Sequence, residues 1–103
     1  MERTDAKTVV LKEKIYKELK VTFQGIEQKM KDIEDEKAEL NIKMDMYRQC
    51  LSDHILSAGS DIVKIHLTQA QEEMVAIENE YEKLRLERDA YRIEIEVYEN
   101  SIR

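Results

Sequence analysis

The sequence predicts an all-α protein: an antiparallel two-helix hairpin, a coiled coil with a turn near Gly59, which dimerises into a four-helix arrangement. Apolar residues recur at alternating steps of three and four over two long stretches, which is the spacing of a coiled-coil seam. The chain has no Pro and only two Gly, so little in it interrupts a helix. Its one cluster of turn-forming residues is SAGSD at positions 57–61.

Composition limits the classes of protein and partner. With 103 residues, of which 39% are charged, the chain has little material for a compact monomeric core. Its net charge of -6 argues against nucleic acid or an anionic membrane surface as a partner. We expect no signal peptide, no transmembrane segment and no membrane insertion, because apolar runs such as Val9 to Leu11 are far shorter than a membrane span. The single cysteine, Cys50, cannot form an internal disulfide, which favours a reducing cytoplasmic or nuclear location.

The helices are predicted in chain order from the apolar pattern. Residues 1–8 have no periodicity and are expected to form a frayed N-terminus. Residues 9–58 are predicted to form a long first helix, in which Gly25 is a weak point. Residues 59–62 are the predicted turn, with Gly59 in the left-handed conformation that follows a helix end and Ser60 or Asp61 as the next cap. Residues 63–102 are predicted to form the second helix.

The phase of the two seams favours a hairpin over one continuous rod. Carried forward, the first seam predicts a core position at residue 61, whereas the second seam uses Val63. A continuous coiled coil absorbs insertions of three or four residues, and a turn removes the constraint. The predicted seam within the chain consists of Leu19, Phe23, Ile26, Met30, Ile33, Leu40, Met44, Tyr47, Leu51, Leu67, Met74, Ile77, Tyr81, Leu84, Tyr91, Ile95 and Tyr98.

Charges beside the seams are used to choose the register. Facing residues of an antiparallel pair have numbers with a constant sum, and the two candidates are 114 and 121. Beside the facing residues, a sum of 121 brings Lys43 near Glu80, whereas a sum of 114 brings Lys20 near Arg92. Because 121 gives more pairs of opposite charge and keeps Ile55 out of the loop, we predict that register.

Apolar residues outside the seams collect at the open end of the predicted hairpin. A two-helix seam leaves its core open to water on two sides, so these residues predict self-association, as a homodimer, or docking of a helical protein partner. The predicted interface consists of Val10, Leu11, Ile15, Val21, Leu86, Ala90, Ile93 and Val97.

No motif for catalysis, nucleotide binding or metal binding is present. His54 and His66 flank the turn near Asp53 and Asp61, but they lack the spacing of a zinc motif. Cys50 is expected to be a partly buried thiol without a chemical role. We therefore expect no catalytic residue, cofactor or metal, and a protein that is not an enzyme.

The predicted function is that of a structural coiled-coil module for protein–protein interaction. One alternative is a stalk-like accessory hairpin of an ATPase or secretion machine, with a tip around Ile55, Leu56 and Ile62 that inserts into a ring. The segment IYKELKVTFQGIE, from Ile15 to Glu27, resembles the start of the Rho-binding antiparallel hairpin domains, which carry KELK followed by Gly-x-Glu. Its spacing is one residue longer and its turn comes later than in that family. The resemblance implies a second alternative, a hairpin that binds a small GTPase.

Overall fold

The computed structural model describes residues 2–54 and 57–102, and over those residues it consists of two long α-helices without a β-strand. Helix α1 spans Glu2–Asp53, and helix α2 spans Ser60–Ile102. The predicted all-helical class with two long helices is confirmed. No stretch of these helices, within the described residues, is long and apolar enough to cross a membrane.

The helix ends differ from those that the apolar pattern predicts. Helix α1 begins at Glu2 rather than at residue 9, and it therefore includes most of the segment predicted to fray. Met1 lies outside the described residues. Glu, Arg, Ala and Lys in this segment are good helix formers, so the helix extends beyond its apolar seam. At its other end α1 stops at Asp53 instead of residue 58, and α2 starts at Ser60 instead of residue 63.

Backbone hydrogen bonds define the connection between the helices. The amide of His54 donates to the carbonyl of Cys50 over 2.9 Å and completes the last turn of α1, and the amide of Ser57 donates to the carbonyl of His54 over 3.0 Å. The carbonyl of Gly59 accepts the amide of Val63 at 3.2 Å, which is the first bond of α2. Gly59 is therefore the N-cap of α2, a position where glycine is tolerated.

The connection consequently lies earlier in the chain than the predicted turn at residues 59–62. Gly59 does not have the positive φ predicted for it, because it starts a helix rather than ending one. Asp61 lies within the first turn of α2, where its carboxylate stabilises the positive end of the helix dipole. Ile55 and Leu56, which the prediction placed in the first helix, lie outside the described residues.

The chain divides into two compact units, each containing segments of both helices. Unit 2 comprises residues 31–82 and is a helical hairpin in itself. Its core is built by both helices from side chains that are at most 8% exposed: Ile33, Leu40, Met44, Ala70, Met74 and Ile77. All six occupy core positions of the coiled-coil repeat, so the apolar spacing accounts for the packing.

Aromatic side chains make further contacts between the helices of unit 2. The hydroxyl of Tyr81 donates to the Glu34 carboxylate at 2.9 Å, and the Lys37 ammonium lies 5.8 Å from the centre of the Tyr81 ring. The rings of Tyr47 and His66 are 5.7 Å apart. Residues later in α1 contact residues earlier in α2, so the two segments are antiparallel.

Unit 1 comprises residues 1–30 with 83–103. The hydroxyl of Tyr16 donates to the Glu99 carboxylate at 2.8 Å, and the Lys12 ammonium donates to the Ser101 hydroxyl at 2.6 Å. These contacts show that the segments of unit 1 are also antiparallel. Its seam has buried members, Ile26, Met30 and Leu84, and half-buried ones, Leu19, Phe23, Tyr91, Ile95 and Tyr98.

The contacts of each unit contradict the predicted register. In unit 2 the numbers of Tyr47 and His66 add up to 113, and those of Glu34 and Tyr81 add up to 115. The two hydrogen bonds of unit 1 give the same two values. The register therefore lies near 114, and the predicted sum of 121 is wrong.

The prediction failed because it relied on exposed charges. Each such pair is worth only tenths of a kcal/mol. Lys20 and Arg92, whose like charges counted against 114, lie over aromatic rings of unit 1: the Lys20 ammonium is 5.3 Å from the centre of Tyr16, and the Arg92 guanidinium is 6.0 Å from that of Phe23. Cation–π contact replaces the repulsion that the charge pattern suggested.

Candidate interaction surface

Helix α2 carries a second apolar edge within unit 1, on its exposed side. Leu86, Ile93 and Val97 are exposed to 58%, 63% and 61%, and Ala90 between them is exposed as well. These residues follow one another at steps of four, three and four, the spacing that places side chains on one face of a helix. The set of Leu86, Ala90, Ile93 and Val97 is called the outer stripe.

Acidic side chains border the outer stripe on both sides. Glu87 and Glu94 lie along one side of it, and Asp89 and Glu96 lie along the other, as helical geometry dictates. Asp89 is within 4.0 Å of three arginines of its own helix, which offset its charge. The three glutamates are exposed and form no ion pair with another described residue, so the stripe has a negative border.

Helix α1 exposes apolar residues of unit 1 among positive charges. Val10 and Val21 are 64% and 69% exposed. Three exposed lysines and two exposed glutamates, Glu13 and Glu18, lie between and beside the apolar residues, so positive charge is in excess. The set called the basic patch consists of Val10, Leu11, Ile15 and Val21 with Lys7, Lys14 and Lys17.

A groove lies between the two helices of unit 1. Phe23 and Ile95 contribute its apolar part, and Lys20, Arg92 and Glu99 contribute charged walls. The groove is open to solvent, whereas a small-molecule site usually buries most of its ligand. Its chemistry is that of a coiled-coil flank, where charged side chains cover the edge of the seam.

Unit 2 also exposes apolar side chains, but in an acidic setting. Ile42, Met46, Ile62, Ile65 and Val75 are all exposed there. Residues 31–82 include thirteen acidic and five basic residues, a net charge of -8, while the residues of unit 1 include ten acidic and twelve basic ones, a net charge of +2. Two copies of unit 2 therefore repel each other, and two copies of unit 1 can approach without that cost.

Within the described residues, the histidines, the cysteine and the carboxylates do not come together in a metal site. Among the residues that the structure describes, no group of three His, Cys, Asp or Glu side chains is placed to hold a metal ion. His66 packs against Tyr47, and His54 is exposed at the end of α1. Cys50, expected to be partly buried, is exposed.

Comparison of the chain with protein-family models, curated proteins and solved structures finds no match. The two surfaces of unit 1 are consequently the observations from which a function can be argued. The eight residues predicted as an interface are their apolar members, and all eight are exposed. Every residue of the predicted seam is buried or half-buried, although the pairing between the helices differs.

Sequence reasoning missed the hydrogen bonds that close the sides of the seam. Tyr16 bonds Glu99 in unit 1, and Tyr81 bonds Glu34 in unit 2. Both tyrosines occupy the first core position of the repeat, and in both pairs the residue numbers add up to 115. At a sum of 114 the sequence has a carboxylate one residue beyond the position that faces each of these two tyrosines, and this is the signal that points to the two bonds.

Proposed function

We propose that this chain is a non-enzymatic helical interaction module that self-associates through unit 1 and presents its other helical faces to protein partners. The outer stripe carries the proposal. It gives α2 a second edge with the spacing of a seam, and no side chain of unit 1 that the structure describes covers it. A helix that is apolar on two opposite edges is typical of a helix with neighbours on both sides.

Energetics favours a dimer that uses both surfaces. Full burial of one large aliphatic side chain contributes about 1.5–3 kcal/mol, whereas association costs roughly 4–15 kcal/mol of lost freedom. One outer stripe, with three large aliphatic side chains, therefore contributes an amount of the same order as this cost. A dimer with twofold symmetry contains two outer stripes and two basic patches. Burial of all four surfaces raises the gain above the cost.

Charge favours unit 1 over unit 2 as the site of association. Both units expose apolar side chains, so exposure by itself does not discriminate between them. The net charge of -8 in unit 2 disfavours contact between two copies of it. In unit 1 the charges of the two helices are of opposite sign where the apolar residues are exposed, which permits contact.

The double substitution Ile93→Glu with Val97→Glu tests the proposal. It places two carboxylates in the outer stripe. Each substitution removes roughly 2 kcal/mol of apolar burial, so we expect the dissociation constant of the dimer to rise at least a hundredfold. Sedimentation equilibrium measures the change. The matched control is Val75→Glu in unit 2, a side chain that is 60% exposed on the same helix, and it should leave the association constant unchanged.

Two results would contradict the proposal. The first is a wild-type chain that stays monomeric at high micromolar concentration. The second is a dimer that Val75→Glu weakens and the double substitution leaves unchanged, which would place the contact outside unit 1. Circular dichroism of each variant establishes that helix content is retained, since these positions are exposed and their loss should not unfold α2.

A further inference from the structure

We propose, on the basis of the self-association proposed above, that the outer stripe of one copy docks on the basic patch of a second copy, and the reverse. The contact then joins α2 of one copy to α1 of the other copy. It does not join two α2 helices or two α1 helices. The proposal concerns which surfaces meet, and it follows from the charges that surround the exposed apolar residues.

Contact between like surfaces is disfavoured by charge. Two outer stripes in contact bring the Glu87, Glu94 and Glu96 carboxylates of both copies to one interface, and none of these has an ion-pair partner among the described residues. Two basic patches in contact bring together the lysines at positions 7, 14 and 17 of both copies. Like charges opposed at an interface cost several kcal/mol in unfavourable cases.

Contact between unlike surfaces removes this cost. The lysines of the basic patch lie among its apolar residues, and the glutamates of the outer stripe lie at its borders. The apolar side chains of the two surfaces can therefore meet while lysines of one copy lie near glutamates of the other. The aliphatic stems of lysine and glutamate cover apolar surface while their heads stay hydrated. A twofold axis that creates one such contact creates the second, and the pair of contacts closes the dimer.

Two triple variants test the pairing. In the first, Glu87→Lys, Glu94→Lys and Glu96→Lys make the outer stripe positive. In the second, Lys7→Glu, Lys14→Glu and Lys17→Glu make the basic patch negative. Each variant alone brings like charges together, and we expect a dimer roughly tenfold weaker or more. An equimolar mixture of the two restores opposite charges at both contacts, so we expect a heterodimer of near wild-type affinity.

The mixture distinguishes the possible pairings. If outer stripes met each other, the second triple variant would associate like the wild type. If basic patches met each other, the first triple variant would do so. Either outcome overturns the proposed pairing, and so does a mixture that is no tighter than the separate variants. Sedimentation equilibrium of differently labelled chains measures all three association constants.

This test is separable from the proposed function. A monomeric wild-type chain overturns both, whereas a wild-type dimer that is broken by Ile93→Glu with Val97→Glu but indifferent to the charge variants overturns the pairing alone. Should a triple variant lose helix content, the single substitutions Glu94→Lys and Lys14→Glu give the same test with a smaller effect, about threefold each.

Discussion

Tyr16 and Tyr81 take equivalent places in the two units, and each links α1 to α2. Their hydroxyls donate to Glu99 and Glu34 at 2.8 Å and 2.9 Å. A phenol at the edge of a seam needs a partner for its hydroxyl when water is partly excluded, and the facing carboxylate supplies it. A shift of the register by one repeat would separate both pairs, so these bonds favour the observed alignment.

Gly25 is the residue whose replacement should stabilise the protein most simply. It lies inside α1 without a positive φ, and a Cβ built there has no neighbour within 4 Å. Gly25→Ala should therefore raise the free energy of unfolding by about 1 kcal/mol, through lower entropy of the unfolded chain and better helix propensity. Urea unfolding followed by circular dichroism measures it.

Gly59 is the matched control, because a Cβ there also meets nothing within 4 Å. It caps α2, and alanine is a poorer N-cap than glycine. Gly59→Ala should give no stabilisation, and a gain equal to that of Gly25→Ala would refute the assignment of Gly59 as a cap.

At the level of the helix, the alternation of buried and exposed positions along α1 decides which substitutions matter. Met44 is 6% exposed and packs in the core of unit 2, whereas Met46, two residues on, is 59% exposed. Met44→Ala should lower the free energy of unfolding by about 2 kcal/mol or more, because it leaves a cavity in the seam. Met46→Ala should stay within about 0.5 kcal/mol of the wild type. Equal effects in a denaturant titration would mean that α1 is rotated relative to the observed packing.

The same alternation explains which features of the fold sequence analysis could predict. Seam residues such as Met30 and Leu84 follow the helical period and bury large apolar groups, so their place could be predicted. The register could not, because contacts such as that of Arg92 with Phe23 depend on which way an exposed side chain turns. The end of α1 at Asp53 was missed because Gly59 was taken as the residue that follows the helix end, whereas it caps the start of α2. The apolar residues at the exposed edges of unit 1 were predicted, and helical spacing also determines which charges lie beside them. The exposure of these edges depends on how the helices pack, which only the structure shows.

Considered as a whole, the molecule concentrates its negative charge in unit 2. That unit has a net charge of -8, against +2 for unit 1. Like charges within about 10 Å of one another repel at low ionic strength and are screened at higher salt. The interior of unit 2 must overcome this repulsion, while unit 1 has little of it.

Salt should therefore stabilise unit 2 selectively. Raising the ionic strength from about 0.01 M to 0.15 M shortens the screening length from about 30 Å to 8 Å, and we expect slower amide hydrogen exchange in residues 31–82, equivalent to about 1 kcal/mol. Exchange in residues 1–30 and 83–103 is the internal control and should change less. The measurement requires dilute protein, so that self-association does not contribute. Equal slowing in both units would show that charge distribution does not control local stability.

The tyrosines that line the seam also determine how the protein interacts with light. The chain has five Tyr and no Trp, and all five tyrosines are half-buried. Near-ultraviolet absorption and fluorescence of the protein are therefore dominated by these tyrosines, which occupy core positions of the repeat. Separation of the helices can be followed optically in the unlabelled chain, at several levels along the seam at once.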